Sequence, residues 1–303
     1  MTAKIIWLAK THFPPLLKEI PKPPKILNYR GRLPEKNTPL LSVVGSRKYS
    51  LYGKQVLEHL ISGLEGYKVG IVSGLALGLD SLAHEEALRH DLYTVAIPGG
   101  GINDEVIYPA ARRPLAHRIL EKGGALLSEF NPDFKATKWS FPQRNRLVAG
   151  ISQATLLIEA AEKSGTLITA RLTTDFNREL LVVPGNIFSK NCQGVHQFLK
   201  LGATPVTCAA DIIEIMNLKK HKSENDENVS LNIKSKTTHL LSDTEKTILK
   251  HLSVPTHRDE LIRQIHLPAS EIMKSLTLLE LKQLVKSDQN VYHLVLDNTK
   301  NLT

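Results

Sequence analysis

Between Lys138 and Ala170 the chain reads KWSFPQRNRLVAGISQATLLIEAAEKSGTLITA, and this stretch holds most of its chemically useful residues. Lys138, Trp139, Phe141, Arg144, Asn145 and Arg146 form an aromatic and cationic cluster. Arginines of this kind can grip successive phosphates, and an aromatic face can stack on a base of any identity. Lys138 and Phe141 are three apart, so they would share a helical face if the segment is already helical there. The same residues also admit a packing role, with Phe141 in the core and the arginines paired to acids such as Glu129 or Glu159. Downstream, an apolar run through Ile158 predicts a buried strand. The turn Ser164-Gly165-Thr166 then opens a helix, a place where backbone N–H groups favour an anion.

Other candidate groups are weaker. Asp80 and His84 lie four apart in GLDSLAHEEAL, but no third metal ligand is suggested, and Asp80 reads as a helix cap. Glu159 and Glu162 raise the question of a general base, yet no nucleophile or partner acid stands at a recognisable spacing. Ser73 and Ser164 lack the G-x-S-x-G elbow of a hydrolase. The phosphate-loop pattern G-x-x-x-x-G-K-[ST] is absent, and GSRKYSLYG is not a dinucleotide fingerprint, which disfavours ATP or a dinucleotide cofactor.

Positioning such residues requires a scaffold, and the hydrophobic pattern supplies one. The runs Leu40–Val44, Val69–Val72, Tyr93–Ile97, Ala125–Leu127, Thr155–Ile158 and Leu180–Val183 are nearly continuous, as in strands buried on both faces. Segments such as Tyr52–Leu64 and Leu79–Arg89 carry helical periodicity between them. The pattern predicts an α/β fold, a Rossmann-like, doubly wound and mostly parallel sheet over residues 39–217. Ligands of such sheets bind beyond the strands' carboxyl ends. There the sequence places Gly45-Ser46-Arg47, Ser73-Gly74, Pro98-Gly99-Gly100-Gly101, Ser164-Gly165-Thr166 and Pro184-Gly185. Each turn alone is weak. Together, with Arg47 in the first, they predict one large anion-binding face.

Residues 1–38 are rich in proline and lysine and predict an extended arm laid on the core, with one short helix around Pro15–Ile20. Residues 218–239 lose all periodicity and read as a flexible linker. Residues 240–303 predict a small winged-helix domain. In it Ser242 caps a helix through His251 with Glu245 closing a capping box, and His257–Ile265 and Ala269–Leu281 form a helix-turn-helix pair. Leu284–Val295 would be the wing.

Composition bounds the rest. The 303 residues carry a formal net charge of +9, a lean toward polyanions such as nucleic acid. No run approaches the ~20 apolar residues of a membrane span, and the N-terminal apolar stretch is too short for a signal peptide. Cys192 and Cys208 are the only cysteines, too few for a disulfide framework or a zinc site, which suits a reducing cytoplasm.

The motifs taken in order resemble the DNA-processing protein A (DprA/Smf) family over about residues 20–217. They are VVGSR (Val43–Arg47), SGLALGLDSLAHEEAL (Ser73–Leu88), TVAIPGGGINDEVIYPA (Thr94–Ala110) and LLSEF (Leu126–Phe130). FPQRNRLVAGIS (Phe141–Ser152), IEAAEKSGTLITA (Ile158–Ala170), LLVVPG (Leu180–Gly185) and GVHQFLKLGA (Gly194–Ala203) follow. The resemblance implies a core that binds single-stranded DNA without ATP or other cofactor, forms homodimers, and is not an enzyme. It further implies a role in natural transformation and competence: protecting incoming strands and helping to load the RecA recombinase. The implied DNA-contacting residues are Gly45, Ser46, Arg47, Lys138, Phe141, Arg144, Asn145 and Arg146, with Gly165 and Thr166 in the pocket wall. Many members begin with a sterile-alpha-motif-like domain; here PKILNYRGRLP (Pro24–Pro34) matches the lead-in to the core, so that domain would lie upstream.

Two rival functions share the pattern. Cytokinin-releasing nucleotide phosphoribohydrolases of the LOG type carry PGG-x-GT followed by a catalytic glutamate, and here Gly101-Ile102-Asn103-Asp104 breaks that motif. A sequence-specific regulator could act through the winged helix, where Ala269–Leu281 offers only Lys274, Ser270, Ser275 and Thr277 for groove readout. A protein–protein module is an equal alternative for that domain.

Overall fold

In the computed structural model, residues 4–220, 242–252, 256–265, 267–282, 284–288 and 291–294 are described. They belong to two compact units that divide at His221 and Lys222. The region read as a linker lies mostly outside the described residues, at 221–239. Its first three residues do not: Leu218 is buried in the larger unit, and Lys220 bridges Tyr67 and stacks its ammonium over that ring.

The larger unit is a nine-stranded sheet. In chain order its strands are β1 (Ile5–Leu8), β2 (Leu27–Gly31), β3 (Leu40–Val44), β4 (Gly70–Ser73), β5 (Tyr93–Ala96), β6 (Ala125–Ser128), β7 (Ala154–Leu157), β8 (Glu179–Val182) and β9 (Thr204–Pro205). Its spatial order is β1-β2-β6-β5-β4-β3-β7-β8-β9. Strands β3 to β9 pair in parallel, whereas β2 meets both β1 and β6 antiparallel. From β3 the chain winds outward through β4, β5 and β6, then returns to lay β7 on the other side of β3. Loops after β3 and β7 therefore diverge, leaving a crevice between them.

Helices α1 (Pro15–Glu19), α2 (Leu51–Ser62), α3 (Leu79–Arg89), α4 (Arg113–Glu121), α5 (Ser140–Ile151), α6 (Thr166–Asp175), α7 (Gln193–Lys200) and α8 (Ala209–Ile215) cover both faces. Strand alternation sends Val43 to one apolar layer with Leu57, Leu60, Leu79 and Ile212. Its neighbour Val44 goes to the other layer with Leu147, Val148, Leu167 and Phe198. Burial on both faces explains why these strands are so uniformly hydrophobic. Among the described residues, no helix is long and apolar enough to cross a membrane.

The expected arm over residues 1–38 is corrected by this topology. Residues 5–8 and 27–31 are strands of the sheet, and Phe13, Leu17, Ile20 and Leu27 between them are buried in the main core. Proline-rich segments hide such strands from pattern reading, because β2 (LNYRG) is short and lies between β1 and β6 in the antiparallel margin of the sheet, where apolar continuity is not required. Its Arg30 is buried and held by Asp104 at 2.6 Å.

In the smaller unit, helices Asp243–His251, Arg258–Gln264 and Ala269–Leu281 pack with strands Thr256–His257, Val285–Asp288 and Val291–Leu294, the last lying between the other two. The capping box forms: Glu245 N–H donates to Ser242 Oγ at 3.2 Å, and Ser242 N–H donates to Glu245 Oε2 at 2.7 Å. This is the winged-helix arrangement read from the pattern.

His84 links α3 to β5 through Nδ1, 2.7 Å from Thr94 Oγ1, and is fully buried. Burial pushes its pKa down from 6.5 to about 3, so the folded ring is neutral across that range while the unfolded ring protonates. Stability from this site is complete above pH 6.5 and is lost as pH falls toward 3, at about 1.4 kcal/mol per unit. Urea titrations between pH 7 and 5 should show that loss, and His84→Gln should flatten the slope by about one proton. An unchanged slope would contradict a neutral buried imidazole.

Candidate nucleic-acid interface

The crevice between β3 and β7 has a volume of about 640 Å³, and its walls include Gly45–Lys48, Gly74, Ala76, Phe141, Arg144, Asn145 and Lys163–Thr166. On α5 the lining residues Phe141, Arg144, Asn145 and Val148 fall at i, i+3, i+4 and i+7, one continuous helical face. Opposite stands the loop after β3. Arg47 is exposed on it, with its guanidinium carbon 5.9 Å from the centroid of the Phe141 ring. Lys48 and Lys163 are exposed beside it. The Ser164–Thr166 turn closes the floor, with Thr166 Oγ1 donating to Gly45 O at 3.0 Å. Gly165 has open space where a side chain would stand.

The two arginines of α5 part company. Arg144 is buried, and its Nη1 donates to Gly74 O at 2.5 Å and also to Ile97 O, fastening α5 to the ends of β4 and β5. Asp80 lies beside that guanidinium and accepts backbone N–H groups of Gly74 and Gly45, so it is not the expected helix cap, a position held by Gly78. Burial raises the Asp80 pKa, and Arg144 and the backbone donors oppose that rise. Burial likewise lowers the Arg144 pKa, against the pull of Asp80. Gly74 must be glycine, because a Cβ there would overlap both the Arg144 guanidinium and the Asp80 carboxylate.

Arg146, expected at the DNA, faces elsewhere. Two positions along a helix turn a side chain to the opposite side from Arg144. Its Nη2 pairs with Glu129 and its Nη1 donates to Lys22 O at 3.0 Å, outside the crevice. Lys138 is exposed but precedes α5, whose first residue is Ser140, so it does not share the Phe141 face and does not line the crevice.

The expected five-turn anion face also narrows. The third turn is packed: a Cβ at Gly99 would strike the Phe141 ring, and Ser140 Oγ donates to Gly99 O at 2.5 Å. That turn seats Phe141; it does not line the crevice, and neither does Pro184-Gly185. Sequence reading missed the device that fixes the Arg47 loop. Glu159, buried at the end of β7, accepts Ser50 Oγ at 2.5 Å and Ser50 N–H at 2.9 Å, and Asn191 Nδ2 donates to Lys48 O at 3.0 Å. No local spacing could have paired Ser50 with a residue 109 positions away.

Comparison with known proteins follows the same boundaries. A family model described as DNA recombination-mediator protein A matches residues 4–217, and one described as DprA winged helix domain matches residues 234–289. Protein Smf of Escherichia coli is 38% identical over 209 residues, which cover 69% of this chain and 55% of that protein. DNA processing protein DprA of Streptococcus pneumoniae is 38% identical over 197 residues, covering 65% of this chain and 68% of that one. The chain thus spans between about half and two thirds of the length of these relatives. Among solved structures, that of DNA processing protein A from Streptococcus pneumoniae superposes with a TM-score of 0.65 at 34% identity, covering 70% of this chain and 74% of that one. The structure from Helicobacter pylori, described for its single-stranded DNA binding mode, has a TM-score of 0.62 at 27% identity and covers 72% and 98%.

Removing Arg144 strands a buried carboxylate and two buried carbonyls. Arg144→Ala should cost about 3–5 kcal/mol in urea unfolding, the penalty for breaking a buried charge arrangement from one side. A loss under about 1 kcal/mol would contradict this structural role.

Proposed function

The chain belongs to the DNA recombination-mediator protein A family, and on that premise we propose that its crevice holds single-stranded DNA. The observation that carries this reading is Arg47 poised beside the half-exposed Phe141 ring at the mouth of an open, cationic crevice. Arg47, Lys48 and Lys163 meet phosphates, Phe141 stacks on a base, and Gly45, Ser46, Gly165 and Thr166 offer main-chain and hydroxyl donors. Arg144 and Asn145 shape the wall behind them. Lys138, outside the crevice, takes a phosphate farther along the strand. Stacking needs an unpaired base, which gives the preference for single strands.

In this reading the protein is a binding protein and not an enzyme, and it needs no ATP. Asp80 is the one acid among the described residues lining the crevice, and it is buried beside Arg144 and held by backbone N–H groups. The phosphoribohydrolase alternative rests on the PGG turn; here that motif is broken after Gly100, and Gly99 packs against Phe141. The regulator alternative weakens as well. On Ala269–Leu281, Ser275 is buried and Thr277 Oγ1 is bonded to Met273 O, which leaves Lys274 and Ser270 for a DNA groove.

The proposed setting is natural transformation in the cytoplasm. A homodimer protects the incoming strand and passes it to a RecA-type recombinase, consistent with the recombination-mediator family and the high positive charge.

Fluorescence anisotropy should give tight, salt-sensitive binding to a thymidine oligonucleotide and much weaker binding to a duplex. Arg47→Ala should lower the slope of log affinity against log salt by about 0.7, and Phe141→Ala should cost about 1–3 kcal/mol. Arg146→Ala should leave affinity unchanged while reducing stability. Removing residues 222–303 should spare binding. If the folded Arg47→Ala, Phe141→Ala double variant kept full affinity, the crevice would not be the site.

A further inference from the structure

A second aromatic stands against Phe141 and has no part in the site so far. The ring of Tyr108 lies 5.8 Å from that of Phe141, tilted by 57°, and it is 56% exposed. What distinguishes this exposed ring is its contact with Phe141 at the crevice. The loop is anchored ahead of the tyrosine, where Ile102 and Ile107 are buried, Ile107 N–H donates to Asn103 O and Asn103 N–H donates to Pro132 O; just beyond it, Arg112 N–H donates to Pro109 O at 2.8 Å. Asp104, also on this loop, is held by Arg30 and by His117 Nε2 at 2.9 Å. The ring is therefore displayed on a rigid support, so presenting it to a ligand costs little ordering entropy.

Arg47 and Tyr108 both stand against Phe141. The two neighbours carry different chemistry: a guanidinium for phosphate, and an exposed phenol ring. Because the rings are tilted, they present two separate faces instead of one continuous surface, and each face can take its own base. No hydrogen bond of the Tyr108 hydroxyl is found among the described residues.

We propose that Tyr108 is a second base-stacking platform, receiving the nucleotide next to the one that stacks on Phe141. This rests on the reading of the crevice as a single-strand site and extends it to a two-base path that runs from Phe141 onto Tyr108, which does not line the crevice. The ligand class is unpaired nucleic acid, and the contact is with the base rather than the phosphate.

Two properties mark a stacking role, and a further loss of affinity when Y108A is added to Phe141→Ala separates it from mere support of Phe141. A stacking ring neutralises no phosphate, so its loss lowers affinity without changing the salt slope. Its contribution also depends on there being a base to stack upon. The test is anisotropy on the full chain with a thymidine oligonucleotide and with an abasic oligonucleotide of the same length. Y108A and Y108L should bind the thymidine strand at least about fivefold more weakly, the low end of what one lost stack costs, with the wild-type salt slope. Y108F should bind as the wild type does. On the abasic strand, all four proteins should bind alike. A thymidine affinity unchanged in Y108A would overturn the proposal, as would a penalty that persists on the abasic strand; so would a penalty that vanishes when Y108A is added to Phe141→Ala, which would mark Tyr108 as a prop for Phe141. Thermal melting confirms that each variant is folded, and Y108L keeps the test intact if Y108A is not. The two readings fail differently: if Arg47→Ala binds like the wild type, the crevice itself is not the site, whereas loss in Arg47→Ala with none in Y108A removes only the second platform.

Discussion

The crevice exists because Arg144 is buried where three elements end. From α5 it reaches the Gly74 carbonyl after β4 and the Ile97 carbonyl after β5, with the Asp80 carboxylate of α3 alongside. A lone guanidinium in that position would be costly. Asp80 and the carbonyls offset the cost only in one arrangement, which fixes α5 against the sheet. Phe141, one helical turn before Arg144, is thereby aimed at the loop after β3. Gly74 is part of the same constraint, since any side chain there would force the charged groups apart.

Around that buried centre the cations divide by burial into two kinds. Arg30, Arg144 and Arg146 hold the fold together: each is drawn into contact with carboxylates or carbonyls, and their long side chains bridge elements far apart in sequence. Arg47, Lys48 and Lys163 stand in solvent along the crevice. Only the second kind is free to exchange counterions for a phosphate chain. Net charge alone does not reveal this division, and it matters more for binding than the total of +9. The Arg47 loop is itself clamped, by Glu159 on Ser50 and by Asn191 on Lys48, so the exposed cations are presented from a fixed backbone.

Much of this was legible beforehand, for physical reasons that differ by element. The central strands announced themselves because both faces are buried. The Ser242–Glu245 capping box, a purely local device, was readable from four residues. That Arg47, Phe141 and the Ser164–Thr166 turn would line one crevice was legible because they follow strand ends of an open parallel sheet. Strands β1 and β2 did not, since prolines around them suppress the pattern and their pairing is long-range. Arg146 was misplaced because composition says nothing about which side of α5 faces the crevice; helical spacing from Arg144 does. The PGGG turn looked like an anion nest and is the seat of a ring, a distinction that only contact across 41 residues can make.

The claim that the crevice, and not the winged helix, receives the strand is tested most directly by amide hydrogen exchange of the full chain with and without a thymidine oligonucleotide. The account predicts new protection in residues 45–50 and 164–168, with residues 256–288 exchanging at their free rates. Protection confined to residues 256–288, with the loops after β3 and β7 unchanged, would contradict it.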